Sequence, residues 1–219
     1  MRDEYGMKSM MKRIEALIII LIIIITLSGC TDMPRGSTDT NGAAPIISNA
    51  PYNDNEVILE ICKNINSIIE DRRYENLAQY IHPEKGVRFG QFGFINIEIN
   101  PILMASQIEK VKEDKTIYSW GIYAGSGDPI ELTINEYFEK FIYIEDFSQA
   151  ETGYNTNLTS SGYPDDIPDI FPNTNTVEYY FSGFDPQYEG LDWKSIKYIF
   201  EKYDGNWFIV GIIENQWSP

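Results

Sequence analysis

The sequence is poor in the residues that most metal, disulfide and nucleic-acid sites need. It has one His and two Cys in 219 residues, and 17 Lys and Arg stand against 33 Asp and Glu. A single His excludes a multi-histidine metal site, and two Cys cannot build a disulfide framework. Nucleic-acid binding needs clustered Lys and Arg, so a net charge of −16 argues against such a partner. Because the sequence contains no phosphate-loop, nucleophile-elbow or zinc motif, we predict no metal and no cofactor.

One long apolar run stands near the N-terminus. Residues 16–27 read ALIIILIIIITL, with eleven apolar residues and no charge. A membrane-spanning helix needs about 20 such residues, so this shorter run is typical of the core of a signal peptide. A Lys-Arg pair shortly before the run supplies the positive region. Met10 and Met11 are alternative starts to Met1, and a start at Met11 gives the cleaner export signal.

The apolar run ends in Leu27-Ser28-Gly29-Cys30. These four residues resemble the lipobox of bacterial lipoproteins, which consists of a Leu, two small residues and a Cys. The resemblance implies that the signal peptide is cleaved between Gly29 and Cys30 and that the Cys30 thiol carries the lipid. It also implies an extracytoplasmic protein that is attached to a bacterial membrane through that lipid. An uncleaved signal anchor with an incidental Cys is the alternative.

The remainder of the chain divides into a tether and a domain. Removal of residues 1–29 takes away four basic and three acidic residues and leaves a net charge of −17. Anionic headgroups repel such a body, so the lipid alone would hold it at the membrane. Residues 30–51 hold the lipidated Cys and a polar stretch rich in Gly, Pro, Ser and Thr, which predicts a flexible tether. We expect residues 52–219 to form a single exported domain.

The domain begins with a helical pattern. Apolar residues recur at helical spacing at Val57, Ile58, Ile61, Cys62, Ile65, Ile68 and Ile69. Asp54 or Asn55 is the predicted cap of this helix. Because Cys62 lies on the apolar stripe, we interpret it as an unreactive packing residue.

Shorter helices are predicted at three further places. Residues 74–81 place apolar side chains on one side, and the His82-Pro83 pair after them is a typical helix stop. The sequences that begin at Ser106 and Thr133 are capping boxes, in which a hydroxyl residue is followed three positions later by a Glu. We expect these two helices to run to about residues 115 and 143.

Strand patterns dominate the end of the chain. Alternation predicts two short strands within 87–99 and further strands at 117–124, 176–184, 194–203 and 206–214. Asp204-Gly205 is a strong signal for a two-residue hairpin turn. The last strand is apolar on both faces, which predicts a central and covered position. Residues 146–175 are polar and predicted to form a long loop.

Helices followed by long antiparallel strands predict an α+β fold, in which N-terminal helices pack on a curved, mainly antiparallel sheet that ends in a C-terminal hairpin. This order of elements resembles the ketosteroid-isomerase-like cone fold, which implies a concave sheet. Separately, the segments HPEKGVRF at 82–89 and GFDPQY at 183–188 resemble exported bacterial proteins known only as uncharacterised. Neither resemblance implies an activity.

Four residues are candidates for a ligand pocket. His82, the only imidazole, could act as a general base, although at a helix end it would more simply bond to carbonyl groups. Arg88 lies between apolar residues, where its planar fork could clamp a carboxylate ligand or pair with an acidic residue such as Glu84. Trp120 and Tyr179 lie on predicted strands, where aromatic side chains either pack in the core or face a ligand.

Two classes of function remain. Asp165, Asp166 and Asp169 crowd the predicted long loop, but their spacing matches no calcium-binding loop and favours a solvated acidic surface. The anchor signal and the lack of any catalytic motif predict a membrane-anchored binding or interaction module, with an envelope protein or a small ligand as its partner. The alternative is a cell-envelope enzyme whose acid–base pocket uses His82 or a buried carboxylate.

Overall fold

The computed structural model describes residues 53–159 and 166–217. The predicted signal peptide, the cleavage site at Gly29, the lipid attachment site Cys30 and the tether all lie outside these residues, as does Asp165. Within the described part of the chain, no helix combines the length and the apolar character needed to cross a membrane.

The first helix, α1, spans Asp54–Glu70 and buries the face that the sequence predicts. The buried side chains are Ile58, Cys62, Ile65, Ile68 and Ile69. Asn53 caps the helix, because its side-chain oxygen accepts a hydrogen bond from the backbone N–H of Asn55 at 3.3 Å. The predicted cap at Asp54 or Asn55 is therefore wrong: Asp54 is already the first helical residue.

A 3-10 helix follows α1 at Tyr74–Tyr80, where the sequence predicts a short helix. It buries Tyr74, Leu77 and Ala78 against the same core. The contact between α1 and the sheet includes a hydrogen bond of 2.7 Å from the hydroxyl of Tyr198 to the side-chain oxygen of Asn66. The N-terminal helices are thus packed on one face of the sheet, which we call the inner face.

Eight strands are present in the described residues: β1 (Val87–Gly90), β2 (Ile102–Leu103), β3 (Tyr118–Ile122), β4 (Pro129–Leu132), β5 (Glu151–Tyr154), β6 (Asn175–Phe181), β7 (Lys194–Tyr203) and β8 (Asn206–Gln216). Six of them form one sheet in the order β2-β1-β8-β7-β6-β5, and β3 pairs with β4 separately. The β1–β8 pair is parallel, and the other neighbouring pairs are antiparallel. The predicted α+β class, with helices on a mainly antiparallel sheet, is confirmed.

The C-terminal hairpin turns at Asp204-Gly205, as predicted. The φ angles are 47° at Asp204 and 80° at Gly205. Positive φ at both central residues is the geometry of a tight two-residue hairpin turn, and Asp-Gly adopts it with little strain. β8 then runs between β1 and β7, in the central position that its apolar composition predicts.

Apolar side chains cover both faces of this sheet. The large core lies on the inner face, against α1 and the 3-10 helix. A smaller core on the opposite, outer face consists of Ile95, Ile199, Val210 and Ile213. The register between β7 and β8 skips Val210, which is therefore an extra residue in β8. Such a bulge bends the strand and increases its twist, as a curved sheet requires.

The capping box predicted at Thr133 is confirmed. The Thr133 N–H donates to Oε2 of Glu136 at 2.9 Å, and Thr133 Oγ1 accepts from the Glu136 N–H at 3.2 Å. The helix that follows spans Ile134–Tyr137 and continues as a π-helix over Phe138–Ile142. Its end agrees with the predicted end near residue 143.

The capping box predicted at Ser106 is wrong. The helix there spans Ala105–Ile108 and begins after Met104, whose N–H donates to the side-chain oxygen of Gln107 at 2.9 Å. In a capping box, a Glu or Gln side chain accepts from the backbone N–H of the cap residue, and here Gln107 makes this bond to Met104. The regular helix is four residues long, and residues 109–113 continue it only as turns.

Two predictions for connecting segments are wrong. Residues 91–99 do not form a second strand, because β2 occupies the free edge of β1 and leaves this segment no strand to pair with. The chain turns at Phe92-Gly93, and Ile97 is 59% exposed. The predicted long loop at 146–175 contains three regular elements, which are β5, a 3-10 helix at Phe147–Gln149 and a short helix at Ile167–Ile170.

Candidate functional site

A groove lies on the outer face of the sheet, beside the segment that follows the helix Ile167–Ile170. The side chain of Phe171 from this segment packs on the smaller core. It approaches β8 at Gly211, where an added Cβ would lie 3.3 Å from Cζ of Phe171 and 2.8 Å from Cδ1 of Ile199. Glycine at this position therefore allows the segment to pack directly against β8.

Most of the groove lining is apolar. The groove has a volume of about 510 Å³, and its apolar lining residues are Ile97, Ile102, Ile170, Phe171, Pro172 and Val210. Ile97 and Ile102 are 59% and 47% exposed. A depression of this size, with mostly apolar walls, is large enough to hold a small molecule.

Two of the three charged residues in the groove neutralise each other. Lys85 Nζ lies 2.6 Å from both carboxylate oxygens of Glu201. The third charged residue is Arg88. Arg88 therefore has no oppositely charged partner among the residues that line the groove.

Backbone carbonyl groups hold the guanidinium of Arg88. Its Nη1 donates to the carbonyl oxygen of Ile97 at 2.9 Å and to that of Asn100 at 2.7 Å. The ion pair considered with Glu84 does not form, and Glu84 instead accepts from the hydroxyl of Tyr203 at 2.8 Å. No carboxylate among residues 53–159 and 166–217 pairs with Arg88. Partial burial lowers the pKa of this guanidinium, which remains charged.

Three of the five N–H donors of Arg88 are unused within the described residues. A guanidinium has five N–H donors, and the two bonds from Nη1 leave the donors of Nε and Nη2 without a partner within the described residues. Nε and Nη2 form an edge that can bind a carboxylate through two parallel hydrogen bonds. The groove thus combines apolar walls with one partly desolvated cation that has free donors.

His82 lies away from this groove and has a structural role. It is buried, and its Nδ1 accepts hydrogen bonds from the backbone N–H groups of Glu84 at 3.2 Å and Lys85 at 3.1 Å. The imidazole therefore stabilises the turn before β1 by accepting from N–H groups, and the expected bonding to carbonyl groups through its ring is wrong. Its ring packs edge-on against Tyr203, with the centroids 5.0 Å apart. Since its Nδ1 lone pair is occupied by the turn, His82 contributes to local structure.

Trp120 and Tyr179 lie in the packed interior. Trp120 is fully buried, stacks on Tyr137 with the ring centroids 3.7 Å apart, and donates from Nε1 to the carbonyl oxygen of Leu132 at 2.9 Å. Tyr179 is 7% exposed and lies in the large core beside Cys62. Of the four predicted pocket residues, Arg88 is thus the one that lines the outer groove.

Glu214 is a buried carboxyl group that the sequence analysis does not single out. It lies on β8 opposite Ile196 and is fully buried. The Phe92 N–H approaches its Oε2 at 3.5 Å, and Oε1 has no hydrogen-bond partner among the described residues. Burial raises its pKa from 4.5 to about 8, so the carboxyl group holds a proton at neutral pH. A Glu directly after the apolar run of a central strand is the sequence signal that could have identified it.

The remaining surface features offer weaker sites. A second groove, of about 460 Å³, is lined by Asp54 and Trp207, but the Asp54 carboxylate already accepts from Lys202 at 2.8 Å and from the indole of Trp207 at 3.1 Å.

In the part of the chain that the structure describes, no three His, Cys, Asp or Glu side chains are grouped to hold a metal ion. Asp166 and Asp169 lie at the start of the short helix over 167–170.

The apolar residues that shape the groove were not predicted from the sequence. The alternating pattern of residues 87–99 places Ile97 in a strand, no predicted element contains Ile102, and Phe171 lies within the predicted loop at 146–175. Val210 lies in the apolar run of the predicted last strand. These residues come from separate segments, and no periodic pattern relates them.

No family model matches this chain, and no curated protein matches it. Among solved structures, an NTF2-like protein from Cytophaga hutchinsonii is 10% identical, covers 75% of this chain and 99% of its own, and has a TM-score of 0.37. An NTF-2-like protein of unknown function from Shewanella oneidensis is 9% identical, covers 74% and 98%, and has a TM-score of 0.31. The α+β assignment depends on the helices and strands themselves.

Proposed function

We propose that this chain is a lipid-anchored extracytoplasmic protein whose single domain binds a small apolar ligand without catalysing a reaction. The groove beside Arg88 is the observation that supports the binding function. The lipobox at Leu27-Ser28-Gly29-Cys30 supports the anchor and the location outside the cytoplasm. With a net charge of −17 after cleavage, the domain would stay at an anionic membrane only through its lipid.

The binding function is tested by filling the groove. We expect naphthylacetamide, a neutral apolar probe, to raise the thermal unfolding midpoint of the full chain in non-ionic detergent. A ligand at about ten times its Kd stabilises the folded state by about 1.4 kcal/mol, which is roughly 3–6 °C for a chain of this size. Val210→Trp places a large side chain on the groove lining and should remove most of this shift.

A matched control separates groove filling from a general effect of an added indole. Ile122 is 53% exposed and does not line the groove, so Ile122→Trp should keep the shift seen with the natural chain. The proposal is wrong if no compound of this shape, neutral or anionic, gives a shift, or if Val210→Trp responds as fully to naphthylacetamide as Ile122→Trp does.

One observation favours the alternative, an envelope enzyme with an acid–base pocket. Glu214 is protonated at neutral pH, and a carboxyl group of raised pKa is a suitable general acid. However, neither Glu214 nor His82 lines the Arg88 groove. We therefore favour binding over catalysis.

A further inference from the structure

We propose that the ligand of the outer groove is an apolar monocarboxylate, whose carboxylate is held by Nε and Nη2 of Arg88 while its apolar body lies along the groove. This inference rests on the proposed binding function and adds the chemical class of the ligand. It is based on the charge balance, the fixed geometry and the lining of the groove.

Within residues 53–159 and 166–217, Arg88 differs from the other arginines in its charge partners. Acidic residues outnumber basic ones by 33 to 17, so carboxylate partners are plentiful. Arg72 lies 3.3 Å from a carboxylate oxygen of Glu139, and Arg73 lies 2.6 Å from one of Asp71. Arg88 is more desolvated than an exposed arginine and has only carbonyl groups as described partners. A partly buried cation without a counter-charge is stabilised when an anion binds beside it.

The guanidinium is also held in a defined orientation. Two carbonyl groups accept from Nη1, and the one at Asn100 belongs to a closed turn. In that turn the Asn100 N–H donates to the carbonyl of Asn96 at 2.8 Å, and the Asn96 N–H donates to the Asn100 side chain at 2.6 Å. An arginine whose plane is fixed before binding loses less conformational entropy when it takes a ligand.

The lining limits the ligand to one negative charge. Lys85 is already neutralised by Glu201, so Arg88 supplies the single unpaired positive charge. The Glu201 carboxylate in the same groove disfavours a second negative charge on the ligand. Apolar side chains make up the other lining residues, and they favour a ligand whose remaining surface is apolar.

The ligand class is tested with a matched pair of compounds. Naphthylacetate and naphthylacetamide have nearly the same shape, and only the first has a carboxylate. From the dependence of the thermal midpoint on ligand concentration, we expect naphthylacetate to bind the full chain in non-ionic detergent about tenfold more tightly. Arg88→Met should remove this preference, whereas Arg73→Met, which changes an exposed and paired arginine, should keep it.

Two further variants separate recognition from folding defects. Arg88→Lys keeps the charge without the planar fork, so most of the preference should be lost while naphthylacetamide binds as before. Glu201→Gln releases Lys85 and removes a nearby negative charge, so it should strengthen naphthylacetate binding several-fold and leave naphthylacetamide unchanged. A misfolded variant cannot produce such a selective gain.

The outcomes distinguish the two proposals. If naphthylacetamide binds in the groove but the acid binds no more tightly, or if Arg88→Met keeps the preference, the carboxylate assignment is overturned and the binding function stands. If neither compound binds, the binding function itself is wrong.

Discussion

Substitution of Cys30→Ala should abolish incorporation of labelled fatty acid into this protein. In the lipobox interpretation, the Cys30 thiol is the atom that takes the lipid, and Ala offers no nucleophile in its place. The folded domain should be unaffected, because its core consists of residues between 58 and 213. The measurement is metabolic labelling with a fatty acid, followed by detection of the label on the purified chain.

Cys62 provides the matched control for this experiment. It is the only other Cys, it is fully buried on α1, and burial raises the pKa of its thiol. A protonated thiol without solvent access is unreactive. We therefore expect Cys62→Ala to keep the label. Incorporation of label is the decisive measurement, because an uncleaved signal could hold Cys30→Ala at the membrane without a lipid. Labelled Cys30→Ala protein would overturn the lipobox assignment.

Glu214→Gln is expected to make the protein more stable than the natural chain at pH 8 and to lose much of that advantage near pH 4.5. Folding raises the pKa of Glu214 from 4.5 to about 8, chiefly through burial. Below pH 4.5 both states hold the proton, and the group contributes no pH dependence. Between these values the unfolded chain has lost the proton while the folded chain retains it. Rising pH therefore favours unfolding by about 1.4 kcal/mol per pH unit until pH 8 is passed.

The Gln side chain has the same shape as a protonated Glu and no proton to lose. The difference in free energy of unfolding between Glu214→Gln and the natural chain should therefore rise by roughly 3–5 kcal/mol between the two pH values, a range that follows from the size of the shift. Urea unfolding monitored by Trp fluorescence, at each pH, measures this difference. Parallel stability curves for the two proteins would show that folded Glu214 is ionised at neutral pH.

Glu178 is the matched control, because it is buried but has partners for its charge. Its carboxylate accepts from the Leu158 N–H at 2.8 Å and from the Thr159 hydroxyl at 2.6 Å, and Lys197 lies 3.5 Å away. Glu178→Gln would leave these donors with a weaker acceptor, so it should destabilise the protein by about 1–3 kcal/mol. At pH 8 the two Gln variants thus have effects of opposite sign.

Local signals in the sequence predicted the elements whose contacts are local. The apolar period of α1, the Thr133 capping box and the Asp204-Gly205 turn each involve residues within a few positions of one another. The interactions that stabilise these elements can therefore be predicted from neighbouring residues in the sequence. The prediction of a second strand within residues 91–99 was wrong for the opposite reason. A strand needs a hydrogen-bonding neighbour, and residues 91–99 have none at β1 because β2 pairs with that edge.

The sequence by itself determined the fold class and the order of the main elements, and it is also the whole basis of the anchor prediction at Cys30. Only the tertiary structure decided what Arg88 and Glu214 face. The groove joins residues from Lys85 to Val210, which are brought together by sheet register and by the close approach of Phe171 to β8 at Gly211. Whether a charge is paired, solvated or buried depends on neighbours that are distant in the chain. Arg88 is therefore a cation that carbonyl groups hold, although Arg72 and Arg73 form ion pairs. Glu214 is likewise a protonated carboxyl group in the core, although most carboxyl groups are ionised at neutral pH.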